Sequence, residues 1–174
     1  MKKNSTLAIT TISILSLVVL SLVFLTGARQ VVPSNVAYQY NADVNKTIHD
    51  IKNLNDMGMT LENTSVIAKL TPDQAVEAAC KDRPDFANQA KNIVVEYYQI
   101  TDPGTQVLSD AAKQKNESLA KNGYLLKTPC YIVSFEGINK EASTPPDVPP
   151  KTFHEYNLVI DANSGEPLYA FLNR

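Results

Sequence analysis

The chain has 174 residues, room for about one domain. Its 44% apolar and 20% charged residues exclude a wholly disordered chain. A formal charge of −2 without a basic stripe excludes neutralisation of a phosphate backbone, so no nucleic-acid partner is expected.

Lys2 and Lys3 precede nineteen uncharged residues, Leu7 to Leu25. As a helix this run would rise about 28 Å, close to the hydrocarbon thickness of a bilayer. Two readings stay open: an uncleaved transmembrane anchor spanning 1–28, or a signal peptide cut near Ala28, after the small residues Gly27 and Ala28. Both leave the positive end in the cytoplasm and export everything after Arg29. The exported part holds all eighteen acidic residues, is mildly acidic, and is not expected to lie on an anionic lipid surface.

Residues 29–69 read as a juxtamembrane linker with one amphipathic helix. Val44, Ile48, Ile51 and Leu54 recur at helical spacing, with Asp43 able to cap the start and Gly58 able to end it. Its apolar stripe would either dock on the domain or serve as a self-association stalk. Oligomeric state is not legible from two apolar turns.

The domain proper is predicted over 70–174. Thr71-Pro72-Asp73-Gln74 forms a capping box with Pro in the first turn, opening a helix to about residue 82. Its stripe is Ala75, Val76, Ala79 and Cys80, and Pro84 ends it. Strands are predicted at Ile93–Ile100, Cys130–Glu136, His154–Ile160 and Leu168–Leu172 from their alternation. The turn Asp161–Glu166 joins the last two as a hairpin, with Asp161 bonding forward to turn amides and Gly165 supplying positive φ. Residues 101–128 read as a surface insertion bearing a polar helix, Ser109 to Asn122. Four prolines, at 145, 146, 149 and 150, keep the loop before His154 extended. The expected fold is α+β, one helix on one face of an antiparallel sheet of about four strands.

Three pieces resemble the PepSY family, also described as peptidase propeptide and YPEB domains. They are the opening helix Leu70–Ala79, the strand Tyr131-Ile132-Val133-Ser134-Phe135, and the closing hairpin Tyr156–Leu168 with its Asp161 and Gly165-Glu166. The resemblance covers about 105 residues, with gaps; the 101–128 stretch and the proline-rich loop depart from it. It implies a small extracytoplasmic module that binds or restrains a peptidase or another envelope partner. It transfers no catalytic residue.

No metalloprotease, nucleophile-elbow, Cys-x-x-Cys or phosphate-loop motif is present. No enzyme activity, cofactor or metal site is therefore expected. His49 and His154 read as polar surface positions, and Asp161 and Glu166 as turn chemistry rather than a carboxylate pair. Tyr97, Tyr98, Tyr131, Tyr156 and Tyr169 read mainly as core or sheet-face residues. An aromatic platform on the uncovered sheet face, or a strand edge accepting an extended peptide, would be the binding surface. Cys80 and Cys130 would both be exported, where a disulfide can persist, yet strand parity turns Cys130 away from the helix that bears Cys80. Asn-x-Ser/Thr triplets start at Asn4, Asn45, Asn63 and Asn116. Two functions follow: a non-catalytic binding or regulatory module at the outer membrane face, or a structural component of a cell-surface assembly.

Overall fold

The computed structural model describes residues 36–41, 46–104, 109–142, 145 and 147–172. Every described residue lies in one compact unit, Val31–Arg174. The apolar run 7–25, the site near Ala28, and Asp43 and Val44 lie outside the described residues. No described helix is long and apolar enough to cross a membrane.

The fold is α+β with a mixed sheet. The strands are β1 Ala37–Tyr40, β2 Thr60–Glu62, β3 Asn92–Asp102, β4 Leu125–Glu141, β5 Thr152–Asp161 and β6 Pro167–Phe171. The order is β1-β3-β4-β5-β6, with β2 also on β3. The described helices are α1 Ile51–Asp56, α2 Pro72–Asp82, α3 Pro84–Gln89, α4 Asp110–Lys115 and α5 Glu117–Asn122.

Two strands correct the four-stranded antiparallel expectation. β1 runs parallel to β3, with Tyr38 opposite Ile93, and β2 runs antiparallel to it, with Leu61 opposite Ile100. Both come from the stretch read as a linker and are too short for alternation to show. Since β4 occupies the other side of β3, they share one edge, β1 on its first half and β2 on its second.

The first face is built as its residues dictate. Thr71 caps α2 by accepting from the Gln74 amide, and the Gln74 side chain accepts from the Thr71 amide. Ala75, Val76 and Ala79 let α2 lie close to Ile93, Val95, Val133, Phe135, Leu158 and Ile160. Pro84 ends α2 and also starts α3, because its fixed φ suits a first turn; α3 adds Phe86 and Ala87 to this core.

The second face is also covered, which overturns the reading of 101–128 as a surface insertion. Ala112 of α4 and Leu119 of α5 are fully buried against Tyr98, Ile100, Leu125, Cys130, Ile132 and Val159. The single polar helix expected over 109–122 is two, because the Asn116 side chain caps a new start by accepting from the Ser118 and Leu119 amides. Ala120, one residue after Leu119, is exposed. These helices are fastened to the hairpin turn. Asp161 accepts from the amides of Asn163 and Ser164 and from Asn116 Nδ2 at 2.5 Å, and Lys115 pairs with Glu166. Gly165 has φ +75, as the turn requires. Gly137 is not at a strand end: it lies inside β4 with φ +71, where the register with β5 shifts.

Candidate functional site

β3 is the element that positions the site. Ile93, Val95 and Tyr97 face α2, so Val94, Glu96, Tyr98 and Ile100 face the other side. Parity thus drives a carboxylate into an otherwise apolar face. Glu96 is 0% exposed, and among the described residues no strand pairs with β3 beside it, because β1 ends at Tyr40 and β2 pairs only from Gln99. Thr47, Ile48 and His49 meet its carboxylate.

Several donors converge on Glu96. Oε1 accepts from Asn41 Nδ2 at 3.1 Å, the Ile48 amide at 3.1 Å and the Tyr98 hydroxyl at 3.4 Å. Oε2 accepts from the Thr47 hydroxyl at 3.1 Å and lies 3.2 Å from His49 Nε2. His49, read from the sequence as a surface residue, is only 4% exposed. The same segment explains why the predicted 43–58 helix is short: Ile48 and His49 are held by Glu96, and Asp50 caps α1 by accepting from the Lys52 and Asn53 amides. Of the expected stripe, Leu54 is buried while Ile48 and Ile51 are 44% and 47% exposed.

Around the His49 ring, Ser134 Oγ lies 3.5 Å from Nε2 and Glu155 Oε1 lies 3.5 Å from Nδ1. Phe171 packs edge-on at 5.4 Å between ring centroids. Asn157, opposite both Ser134 and Phe171 in the sheet, is wholly buried with neither amide atom hydrogen-bonded. Burial pushes His49 down to about 4. Burial also pushes Glu96 up, with its amide and hydroxyl donors pulling against that shift.

A serine, a histidine and a carboxylate in contact resemble a nucleophile set that sequence motifs did not reveal. Access decides against that use. Ser134 is 0% exposed, so no substrate carbonyl reaches its hydroxyl. The cysteines are equally secluded. Burial raises Cys80 to about 11 and Cys130 well above the usual thiol range. They are free thiols on opposite faces of the sheet, as parity requires.

Beside this cluster, the open end of the second face forms a groove of about 350 Å³. Gln39 and Asn41 line it at one side, Asn92 and Val94 from β3, Glu136 from β4, and Lys46, Thr47 and Ile48 as a wall. Asn92 Nδ2 donates to Glu136 Oε2 at 2.9 Å, which links the two side chains.

The other sequence candidates do not join this site. His154 is exposed, its Nδ1 3.2 Å from the Ile138 carbonyl oxygen. Tyr97 and Tyr131 stack on the first face and donate to the carbonyls of Val66 and Leu70. Tyr156 packs on Phe86 there, while Tyr98 and Tyr169 belong to the second face, so the five tyrosines make no platform. Asp161 and Glu166 serve the turn. Among the described residues no three His, Cys, Asp or Glu side chains are grouped to hold a metal. Comparison with protein-family models, curated proteins and solved structures finds no match to the chain.

Proposed function

We infer that the chain is a non-catalytic binding module, exported beyond a cell membrane and held there by its N-terminal apolar segment, that engages a protein or peptide partner in the envelope. One observation carries the binding reading: the groove at the open end of the sheet's second face. Its carboxamides at Gln39, Asn41 and Asn92 offer the donor and acceptor groups that a peptide backbone presents. Val94 adds an apolar surface, and Lys46 and Glu136 supply one charge of each sign. The seclusion of Ser134, His49 and Glu96 supports a non-catalytic role.

The PepSY resemblance supplies the kind of partner, a peptidase or other envelope hydrolase that the module restrains or positions. Its three pieces belong to one core here: Ala75, Val76 and Ala79 from α2, Tyr131, Val133 and Phe135 from β4, and Leu158, Ile160 and Ala162 from the hairpin. β4 carries Glu136, in the groove, and continues through Gly137 to Glu141.

A photo-cross-linking residue placed at Gln39 in the full chain, in native membranes, tests this. It is expected to capture one envelope protein that the same probe at Lys81, on α2, does not. Equal capture from both positions, or none from Gln39, would instead favour a structural component of a surface assembly.

A further inference from the structure

We propose that the groove takes a short peptide with both ends free, its ammonium end meeting Glu136 and its carboxylate end meeting Lys46. The proposal rests on the binding reading of this groove and names its ligand.

The groove carries one charge of each sign, and a carboxamide holds each of the two residues in place. Asn92 Nδ2 donates to Glu136 Oε2 at 2.9 Å, which leaves Oε1 to accept from a ligand. Asn41 Nδ2 donates to the Lys46 carbonyl at 2.8 Å, which ties that residue to the end of β1. Among the described residues neither Lys46 nor Glu136 has an ion-pair partner, so they do not neutralise each other. Two unneutralised charges of opposite sign on one small groove favour a ligand that carries both.

The strand register sets how far apart the charges stand. Glu136 is opposite Asn92, and Tyr40, just before Asn41, is opposite Val95. From Asn92 to Val95 is roughly 10 Å along β3, and from β1 to β4 is two strand spacings, also roughly 10 Å. Less the reach of the Lys and Glu side chains, that diagonal suits an extended peptide of about two to four residues at ~3.3 Å each. Between the ends lies Val94, with Gln39 opposite it. Gln39 has no hydrogen-bond partner among the described residues, so its carboxamide is open to the donors and acceptors of a peptide backbone. A volume of about 350 Å³ falls at the lower end of small-ligand sites and admits no folded surface. An interior stretch of a longer chain brings neither terminal charge.

NMR titration of the full chain in detergent tests this, with trialanine as the probe and the Val133 amide in the first core as the reference. Saturable shifts are expected at Gln39, Asn92 and Val94 at millimolar peptide, with Val133 unmoved. Acetylating the amino end or amidating the carboxyl end should each weaken binding on the order of 5-fold. Two variants assign the ends. Glu136→Gln should bind trialanine and its acetylated form alike, and Lys46→Met should bind trialanine and its amide alike. Should either variant fold poorly, the two capped peptides on the unmodified chain decide. Trialanine that fails to bind while the Gln39 probe still captures an envelope protein would strike the ligand and leave the binding reading standing. Shifts confined to other parts of the domain, or capped peptides that bind as well as trialanine, also overturn the proposal.

Discussion

Replacing Phe135 by Ala is expected to destabilise the domain by about 3–5 kcal/mol, the cost typical of truncating a large buried aromatic ring. Phe135 is fully buried in the first core, where its ring lies 6.5 Å from that of Tyr156. It lies opposite Ile93 on β3 and Tyr156 on β5, so a void there is flanked on both sides by side chains fixed to paired strands and cannot readily collapse. The exposed Leu126 on the same strand is the control, and its replacement by Ala should fall within about 0.5 kcal/mol. Denaturant midpoints of the two variants measure the difference. A cost under about 1 kcal/mol at Phe135 would contradict the assignment of the α2-facing side of the sheet.

Glu96→Ala should cost about as much, roughly 3–5 kcal/mol, for a different reason. The substitution removes the carboxylate that accepts from the Thr47 hydroxyl and the Ile48 amide and that also meets Asn41 and His49. Glu96→Gln keeps one acceptor oxygen and should cost less, about 1–3 kcal/mol. The Gln variant also isolates the titration of His49. An imidazole held below its unfolded value contributes stability that is full above about pH 6.5 and is lost as pH falls toward 4. A carboxyl held above its unfolded value does the reverse. Its contribution is full below about pH 4.5 and is lost as pH rises through the folded value. In the unmodified chain the two oppose each other. In Glu96→Gln only the first remains, so unfolding free energy should fall more steeply from pH 6.5 to 4, by up to about 3 kcal/mol. Parallel pH profiles for the two proteins would contradict a neutral, buried His49.

What the sequence disclosed and what it concealed follow from the range of the interactions involved. The start of α2 was legible because the Thr71–Gln74 capping box is complete within four residues. The inward faces of β4 and β5 were legible because Val133, Phe135, Leu158 and Ile160 alternate, and all four are buried beside α2. The Asp161 turn was legible because its acceptor and the amides of Asn163 and Ser164 are neighbours in the chain. By contrast, β1 is four residues whose partner lies more than fifty positions away, so nothing local marks it as a strand. The docking of α4 and α5 rests on two buried residues, Ala112 and Leu119, too few to register as an amphipathic face. The candidate site had one signal, which was Glu96 sharing parity with Val94 and Tyr98 inside an apolar run. That pattern announces a buried acid in need of donors. It does not say that the donors come from 41 and 47–49, since that depends on the chain crossing the gap between β1 and β2.

The proposed role of the groove depends above all on where the domain resides. Protease added to intact cells tests that placement directly. The orientation set by Lys2 and Lys3 predicts that the domain is digested while a small membrane-embedded fragment survives, or that the domain is recovered outside the cells if the N-terminal segment is cleaved. Complete protection of the domain in intact cells, with digestion only after the membrane is opened, would contradict an exported module.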